Sequence, residues 1–168
     1  LNRIETSASA VMTQRARAMR AAGRDVLALS MGQPDFDTPE HVKDAAKAAM
    51  DRGETGYPPL AGTEVLKRAV QEKFRRENNL DYALDQILVS NGGKQVIFNA
   101  FAATLNPGDE VIVPAPYWVS YPDSVKYSGG TPVFVPTEFQ NGFRLTPEAL
   151  RGALTPRTRW LVINSPNN

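Results

Sequence analysis

The second half of the chain alternates between short apolar runs and longer stretches of mixed polarity. The apolar runs are residues 87–89, 111–113, 133–135 and 161–163, with about twenty or more residues between successive runs. A run that is apolar on both faces is typical of a parallel strand covered by helices on both sides. The intervals are long enough for the crossover connections that parallel strands require. The pattern therefore predicts an α/β fold, with helices packed on a mostly parallel sheet.

The first part of the chain predicts a helix followed by a strand. Residues 10–22 have an amphipathic pattern and end before Gly23, a favourable residue just after a helix. The apolar residues 26–31 are typical of a strand. The Ser-, Ala- and Arg-rich composition of residues 1–23 is also typical of a transit peptide. We favour the surface helix, because an apolar run follows it directly.

Two further helix starts carry capping sequences. Thr38-Pro39-Glu40 and Thr146-Pro147-Glu148 each place a proline and an acid after a threonine that can serve as N-cap. A Gly/Pro-rich loop at residues 56–62 precedes an apolar stripe at residues 65–74, which predicts another helix. Asn106-Pro107-Gly108-Asp109 has the composition of a tight turn. These signals divide the chain into the alternating elements of an α/β protein.

The turn at Gly92-Gly93-Lys94-Gln95 is the strongest candidate for a binding site. The run at residues 87–89 breaks on two glycines, and an apolar stripe over residues 96–105 then predicts a helix. Free backbone N–H groups and the positive dipole end attract anions to such a helix start. A lysine in the first turn is disfavoured by about 0.3–1 kcal/mol unless a negative group lies beside it. The sequence suggests a bound phosphate or carboxylate here; the alternative is an ordinary turn with a solvated Lys94.

Composition and charge narrow the possible functions. The chain has 168 residues, a net charge of +1 at pH 7, no cysteine and one histidine, His41. The balanced charge gives no argument for nucleic acid or an anionic membrane surface as a partner, and no apolar run has the length of a membrane span. Without cysteine or a second histidine we expect no metal site. The absence of cysteine is compatible with a reducing compartment, and we expect a cytoplasmic protein.

Two further segments follow predicted strands. Trp118 comes after the run at residues 111–113, and Asn164-Ser165-Pro166-Asn167-Asn168 comes after the run at residues 161–163. In open α/β sheets ligands bind at the carboxyl ends of the strands. An anion-binding turn, a flat aromatic face and an amide at that edge would suit a phosphorylated planar ring. Taken singly, Trp118 is more typical of core packing and Asn168 of a turn.

Five motifs occur together in a particular order. They are Gly32-Gln33-Pro34-Asp35-Phe36, Tyr57-Pro58-Pro59-Leu60-Ala61-Gly62, Gly92-Gly93-Lys94-Gln95, Pro116-Tyr117-Trp118 and Asn164-Ser165-Pro166-Asn167-Asn168. In this order and spacing the chain resembles class I pyridoxal-phosphate-dependent aminotransferases, most of all the bacterial aspartate aminotransferases that carry Gly-Gly-Lys-Gln. The resemblance implies the fold of fold-type I transferases and pyridoxal 5'-phosphate as the cofactor. It also implies amino transfer between an amino acid, aspartate or glutamate being favoured, and a 2-oxo acid.

The resemblance implies contacts with the cofactor at five positions. Gly93 and Lys94 match the turn that binds the cofactor phosphate. Trp118 matches the aromatic residue that stacks on the pyridine ring and faces the substrate, and Asn168 matches the amide that hydrogen-bonds the phenolic oxygen of the ring. Tyr57 matches the tyrosine that reaches the phosphate of the neighbouring subunit. The resemblance therefore implies a homodimer with shared active sites.

The resemblance also implies how the substrate is held and where the chain belongs in a longer protein. Gly32 matches the glycine whose backbone meets the substrate α-carboxylate, and Trp118 and Asn168 also face the substrate. The Schiff-base lysine, the aspartate at the pyridine nitrogen and the carboxylate-binding arginine would lie beyond residue 168. We expect residues 1–43 to form an N-terminal arm and small-domain segment, and residues 44–168 the first part of the large domain. The full-length protein would be an enzyme, whereas residues 1–168 alone would be inactive.

Several interpretations stay open from the sequence. Lys94 either contacts only cofactor phosphate or solvent, or it reaches the distal carboxylate of an acidic substrate. Relatives that accept prephenate often carry a Lys-Pro pair near the N-terminus, where this chain has Glu5-Thr6, and this departure disfavours prephenate. Alternative enzymes on the same fold are a carbon–sulfur lyase and an aminocyclopropane-carboxylate synthase-like enzyme. The alternative outside enzymes is a non-catalytic cofactor-binding sensor domain, which no basic or helix-turn-helix-like segment supports.

Overall fold

The structure, a computed structural model, describes residues 6–30, 32 and 34–166. The α-helices of this part are α1 (Ala8–Ala21), α2 (Glu40–Asp51), α3 (Glu64–Lys73), α4 (Gly93–Thr104), α5 (Ser120–Tyr127) and α6 (Pro147–Ala153). The strands are β1 (Glu110–Ala115), β2 (Thr131–Pro136) and β3 (Thr158–Leu161). The chain divides into two compact units. We call the described residues of Leu1–Met31 and Gly92–Asn168 the sheet unit, and those of Gly32–Asn91 the helical unit.

The sheet unit is built on three parallel strands in the order β2-β1-β3. Helix α5 connects β1 to β2 and helix α6 connects β2 to β3, so each connection is the crossover that parallel strands need. Strands β1 and β2 form where the apolar runs predict them. Strand β3 begins earlier and ends at Leu161, so the strand predicted at residues 161–163 is correct only at its first residue. The Val162 N–H still donates to the Ile112 carbonyl at 3.0 Å. The predicted α/β fold with a parallel sheet is confirmed.

The core of the sheet unit lies between β1 and the helices α4 and α5. Val111 and Val113 share one face of β1, because side chains alternate along a strand, and both are fully buried. They cluster with Phe101 of α4, whose ring meets Trp160 of β3 edge to face with 5.5 Å between centroids. Ile112 points to the opposite face and is also fully buried. Both faces of β1 are therefore covered, as its uninterrupted apolar run predicts.

Two predicted strands do not form, and both predictions are wrong. Residues 26–30 and 87–89 have no regular secondary structure; residue 31, the last of the first run, lies outside the described residues. A strand needs a neighbour with which to exchange backbone hydrogen bonds, and an apolar run does not supply one. In the helical unit the Val89 N–H donates instead to the carbonyl of Ala61 at 3.1 Å.

One of the two predicted helix caps is correct and the other is displaced. The Thr146 hydroxyl accepts a hydrogen bond from the Ala149 N–H at 3.2 Å, and α6 begins with a proline. At α2 the expected cap is Thr38, but Pro39 occupies the capping position and the helix begins at Glu40. Pro39 has a ψ of 141°, which is extended backbone, so Thr38 is one residue too far away to cap the helix. The helices predicted at residues 10–22 and 65–74 form as α1 and α3.

Two buried carboxylates tie the amino ends of β1 and β3 together. Glu110 accepts hydrogen bonds from Thr155 Oγ1 at 2.5 Å and from Arg157 Nη2 at 2.6 Å. Asp109 accepts one from Arg159 Nε at 3.2 Å. The hydroxyl of Thr155 and the guanidinium of Arg157 hold the pKa of Glu110 below its ordinary value of 4.5. These contacts connect β1 to the segment that begins β3, at the edge of the sheet opposite to the carboxyl end of β1.

We expect Glu110→Gln to weaken the acid dependence of stability. Because the carboxyl pKa is lower in the folded chain than in the unfolded chain, its stabilising contribution is present above the ordinary value and is lost as the pH falls through the lowered pKa. Urea denaturation midpoints of the full-length protein, measured from neutral pH to below 4.5, should fall less steeply for Glu110→Gln than for the parent. Thr155→Val removes the largest cause of the shift and should give an intermediate slope. Identical slopes for all three proteins would contradict the prediction.

Candidate functional site

Helix α4 begins on the glycine turn that the sequence predicts. Gly92 precedes the helix with a φ of +87°, a conformation that residues with a Cβ rarely adopt. Gly93 is the first helical residue, and a Cβ placed on it would meet no described atom within 4 Å. The first N–H groups of an α-helix have no acceptor within the helix, and they carry the positive end of the helix dipole. The space beside Gly93 therefore leaves room for an anion at the helix start.

Lys94 and Trp118 line one cavity in the sheet unit. The Lys94 Nζ lies 5.2 Å from the centroid of the Trp118 ring, which is within the range of a cation–π contact. The cavity has a volume of about 590 Å³ and lies between the first turns of α4 and α5. Trp118 is partly buried and packs against the hydrophobic core. The structure thus brings a cation, an aromatic ring and a helix start to one place.

Helix α5 adds polar side chains that the sequence analysis missed. Ser120, Asp123 and Ser124 line the same cavity as Lys94 and Trp118. Residues spaced by three and four positions share one face of a helix, so a polar face directly after Trp118 is the signal that could have identified them. The Ser124 hydroxyl donates to the Ser120 carbonyl at 2.9 Å. Asp123 gives the cavity an acidic side chain as well as a basic one.

A second cavity, of about 700 Å³, lies at the carboxyl ends of β1 and β3. Asn164 and Ser165, from the loop after β3, contribute to its lining, together with Tyr117. The ring of Tyr117 stacks on that of Phe134, with 4.9 Å between centroids and an angle of 13° between planes. The neighbours Tyr117 and Trp118 therefore have different roles, because one packs on β2 and the other lines the cavity beside Lys94.

The remaining predicted site residues are Gly32, Tyr57 and Asn168. Gly32 and Tyr57 belong to the helical unit, where both are exposed. Asn168 lies outside the described residues, so the structure gives no account of it. The relation of these three residues to the cavity of Lys94 and Trp118 stays a prediction.

The loop that carries Tyr57 packs closely on its own unit. Gly62, at the end of this loop, has a φ of +96°, and a Cβ placed on it would lie 2.6 Å from Val89 Cγ2. Only glycine permits this approach without displacement of the chain. The contact joins the Tyr57 loop to the segment at residues 87–89, within the helical unit.

The described residues hold neither a metal-binding cluster nor a membrane-spanning helix. No group of three or more His, Cys, Asp or Glu side chains that could hold a metal ion occurs in them. Each helix in this part of the chain is too short or too polar to cross a membrane.

Fold and site together define an α/β protein with a cavity that combines a helix start, a lysine and an aromatic ring. The chain belongs to the aminotransferase class I and II family, because the model of that family matches residues 24–168.

Curated relatives match along the chain. The sequence is 56% identical over 168 residues to aspartate/prephenate aminotransferase of Cereibacter sphaeroides. The match covers 100% of this chain and 42% of that protein. It is also 56% identical over 154 residues to aspartate aminotransferase of Rhizobium meliloti. This match covers 92% of this chain and 38% of that protein. The chain therefore spans less than half the length of these relatives.

Solved structures have the same fold. The aspartate aminotransferase from Rhizobium meliloti superposes with a TM-score of 0.94 at 54% identity, over 98% of this chain and 41% of that chain. Aspartate aminotransferase from Thermus thermophilus, solved with maleate, gives a TM-score of 0.95 at 50% identity, over 100% of this chain and 45% of that chain. The predicted fold class, a fold-type I transferase, is confirmed. The boundary predicted between residues 43 and 44 stays a prediction.

Proposed function

We propose that the full-length protein is a pyridoxal-phosphate-dependent aminotransferase acting on aspartate or glutamate and a 2-oxo acid. The observation that carries the proposal is the contact of Lys94 with Trp118 in a cavity at the start of α4, in a chain of the aminotransferase class I and II family. The names of the relatives support an acidic substrate. So does the Thermus thermophilus structure with maleate, which is a dicarboxylate.

The start of α4 and the ring of Trp118 have the chemistry that bound pyridoxal phosphate would require. The backbone N–H groups of Gly93 and Lys94, at the positive end of α4, would bind the phosphate. The ring of Trp118 would stack on the pyridine ring, an interaction worth about 0.5–1.5 kcal/mol beyond the area it buries. Asn168 would hydrogen-bond the phenolic oxygen, and Tyr57 would reach the phosphate held by the second subunit of a homodimer.

In the proposed mechanism the residues of this chain bind and orient the cofactor and the substrate. Residues beyond position 168 move the proton. Bound pyridoxal phosphate supplies an electron-withdrawing ring that weakens the C–H bond beside the substrate amino group. Trp118 would cover one side of the ring and exclude water there, and the backbone of Gly32 would hold the substrate α-carboxylate. We place the lysine that moves the proton beyond residue 168. Residues 1–168 alone should therefore not transaminate.

We also propose that the full-length protein is located in the cytoplasm.

A spectroscopic titration of the purified full-length protein tests the proposed function. The bound cofactor should give a visible absorbance band that bleaches when aspartate or glutamate is added and returns when a 2-oxo acid acceptor follows. Alanine serves as the control donor and should bleach the band more slowly. Continued formation of a 2-oxo acid beyond one equivalent per active site, with no acceptor present, would favour a lyase instead. A protein without the band would contradict the proposal.

Replacement of Lys94 tests the preference for acidic substrates. Hydrogen bonds to charged groups contribute about 1.5–3 kcal/mol, so Lys94→Ala should raise the KM for aspartate by about tenfold to a hundredfold. The KM for alanine, which has no distal carboxylate, should rise far less. Lys94→Arg keeps the charge and should restore most of the difference. An equal rise in KM for both substrates would exclude a role of Lys94 in substrate specificity. Lys94 would then contact only the cofactor.

Prephenate is a second candidate substrate. The relative from Cereibacter sphaeroides is named for both aspartate and prephenate and matches the whole chain at 56% identity. The sequence difference at Glu5-Thr6 points the other way, and Glu5 lies outside the described residues. Prephenate carries a 2-oxo acid group, so the titration with prephenate as the acceptor decides between these two observations.

A further inference from the structure

Trp118 lies on a segment without regular secondary structure. It follows the end of β1 and precedes the start of α5. Its carbonyl accepts a hydrogen bond from the Tyr121 N–H at 3.1 Å, which holds the backbone. On one side the indole packs against the hydrophobic core. The ring also lines the cavity, where a side chain from the start of α4 contacts it.

That contact comes from Lys94. The side chain of Lys94 is exposed, and a long exposed side chain has many rotamers that leave its ammonium in water. The ammonium lies over the Trp118 ring instead, 5.2 Å from the ring centroid. Helices α4 and α5 also contact each other. Lys94 lies in the first turn of α4, and Trp118 lies two residues before α5 begins. The contact therefore links the start of α4 to the loop that carries the indole.

We propose that Lys94 is a positioning residue for Trp118, in addition to any contact it makes with a ligand. Its ammonium holds the indole in one orientation, and the ring face that it leaves open is ready for a planar ligand to stack on. The proposal rests on the proposed function only for the identity of that ligand. A lysine that contacts only phosphate, or only a substrate carboxylate, would leave the indole unchanged in the cofactor-free protein.

Fluorine NMR of the full-length protein, freed of cofactor and labelled with 5-fluorotryptophan, tests the positioning role directly. The resonances of Trp118 and Trp160 are assigned as those missing from Trp118→Phe and Trp160→Phe. We expect Lys94→Met and Lys94→Gln to move the Trp118 resonance toward its position in denatured protein and to leave that of Trp160 in place. Lys94→Arg, which keeps a cation, should restore the parental position. An unmoved Trp118 resonance, or equal shifts of both tryptophans, would overturn the proposal.

Binding of pyridoxal, which lacks the phosphate, provides a second and independent readout. Loss of the cation–π contact should weaken pyridoxal binding by about threefold in Lys94→Met. The same change should have no effect when it is made in Trp118→Ala, because Lys94 acts through the indole. Unchanged pyridoxal affinity in Lys94→Met would overturn the positioning role. If the parent bound neither pyridoxal nor pyridoxal phosphate, the proposed function would fail while the fluorine result would still stand.

Discussion

Gly93→Asp in the full-length protein is expected to lower the affinity for pyridoxal phosphate by a hundredfold or more without unfolding the protein. Gly93 is the first residue of α4, and the space around its Cβ position is open in the described structure. A carboxylate there would face the proposed phosphate. Two like charges about 4 Å apart repel by about 4 kcal/mol at the effective dielectric constant near a protein surface. Even if screening halves this repulsion, each phosphate charge should lower the affinity for pyridoxal phosphate by more than tenfold.

The same change should not destabilise the cofactor-free protein. An acidic side chain in the first turn interacts favourably with the helix dipole, by about 0.3–1 kcal/mol. The denaturation midpoint of cofactor-free Gly93→Asp should therefore equal or exceed that of the parent. Stability and cofactor affinity are expected to change in opposite directions, which separates a binding defect from a folding defect.

Gly93→Asn is the matched control, because asparagine has nearly the shape of aspartate without its charge. Pyridoxal phosphate is titrated into the cofactor-free proteins and followed by absorbance. Gly93→Asn should lower the cofactor affinity tenfold or less, and only Gly93→Asp should lower it a hundredfold or more. Similar losses for both variants would mean that bulk, and not charge, matters at this turn. Parental affinity in Gly93→Asp would show that no phosphate binds at the start of α4.

Phe101→Ala is expected to lower the free energy of unfolding by about 3–5 kcal/mol, the usual cost of removing a buried aromatic ring. Phe101 is 1% exposed and clusters with Val111 and Val113, and its ring meets that of Trp160 edge to face. Truncation would leave a cavity between α4 and β1 that the fully buried valines cannot fill. Since α4 also carries the proposed phosphate turn at its start, cofactor affinity should fall as well.

Phe98→Ala is the control on the same helix. Phe98 is partly buried, and its ring lies 5.3 Å from that of Tyr127. Because less of its surface is removed from water, truncation should lower the free energy of unfolding by about 1–2 kcal/mol. Urea denaturation of the cofactor-free full-length variants measures both values. Equal losses at the two positions would contradict the core assignment of Phe101.

Local signals along the chain predicted most of the helices and turns correctly. The turn at residues 106–109 forms through the Asp109 N–H, which donates to the Asn106 carbonyl at 3.0 Å. Thr146 caps α6 as expected. These features depend on atoms a few residues apart, so a short sequence contains all the information that they need. Thr38 shows the limit, because the extended backbone of Pro39 moves the helix start by one residue.

Strand formation depends on partners that are distant in the sequence. The apolar runs at residues 111–113 and 133–135 became paired strands, whereas the runs at residues 26–31 and 87–89 did not form strands in their described parts. Among the described residues of these runs, both faces are buried only at residues 111–113, whereas Phe134 of β2 and Leu88 are exposed. Neither burial nor hydrogen bonding to a neighbour follows from composition alone. The same reasoning explains why the ion pairs of Glu110 and Asp109 with residues near β3 were not predicted.

The amino-acid order already specified the α/β class, the glycine turn before α4 and the family motifs that single out Lys94 and Trp118. Folding alone decided that the Lys94 ammonium rests on the Trp118 ring and that Asp123 shares their cavity. The difference is one of range. Turns, caps and periodicity arise from neighbouring residues, but a contact between the start of one helix and the loop before another depends on how the sheet and helices pack together.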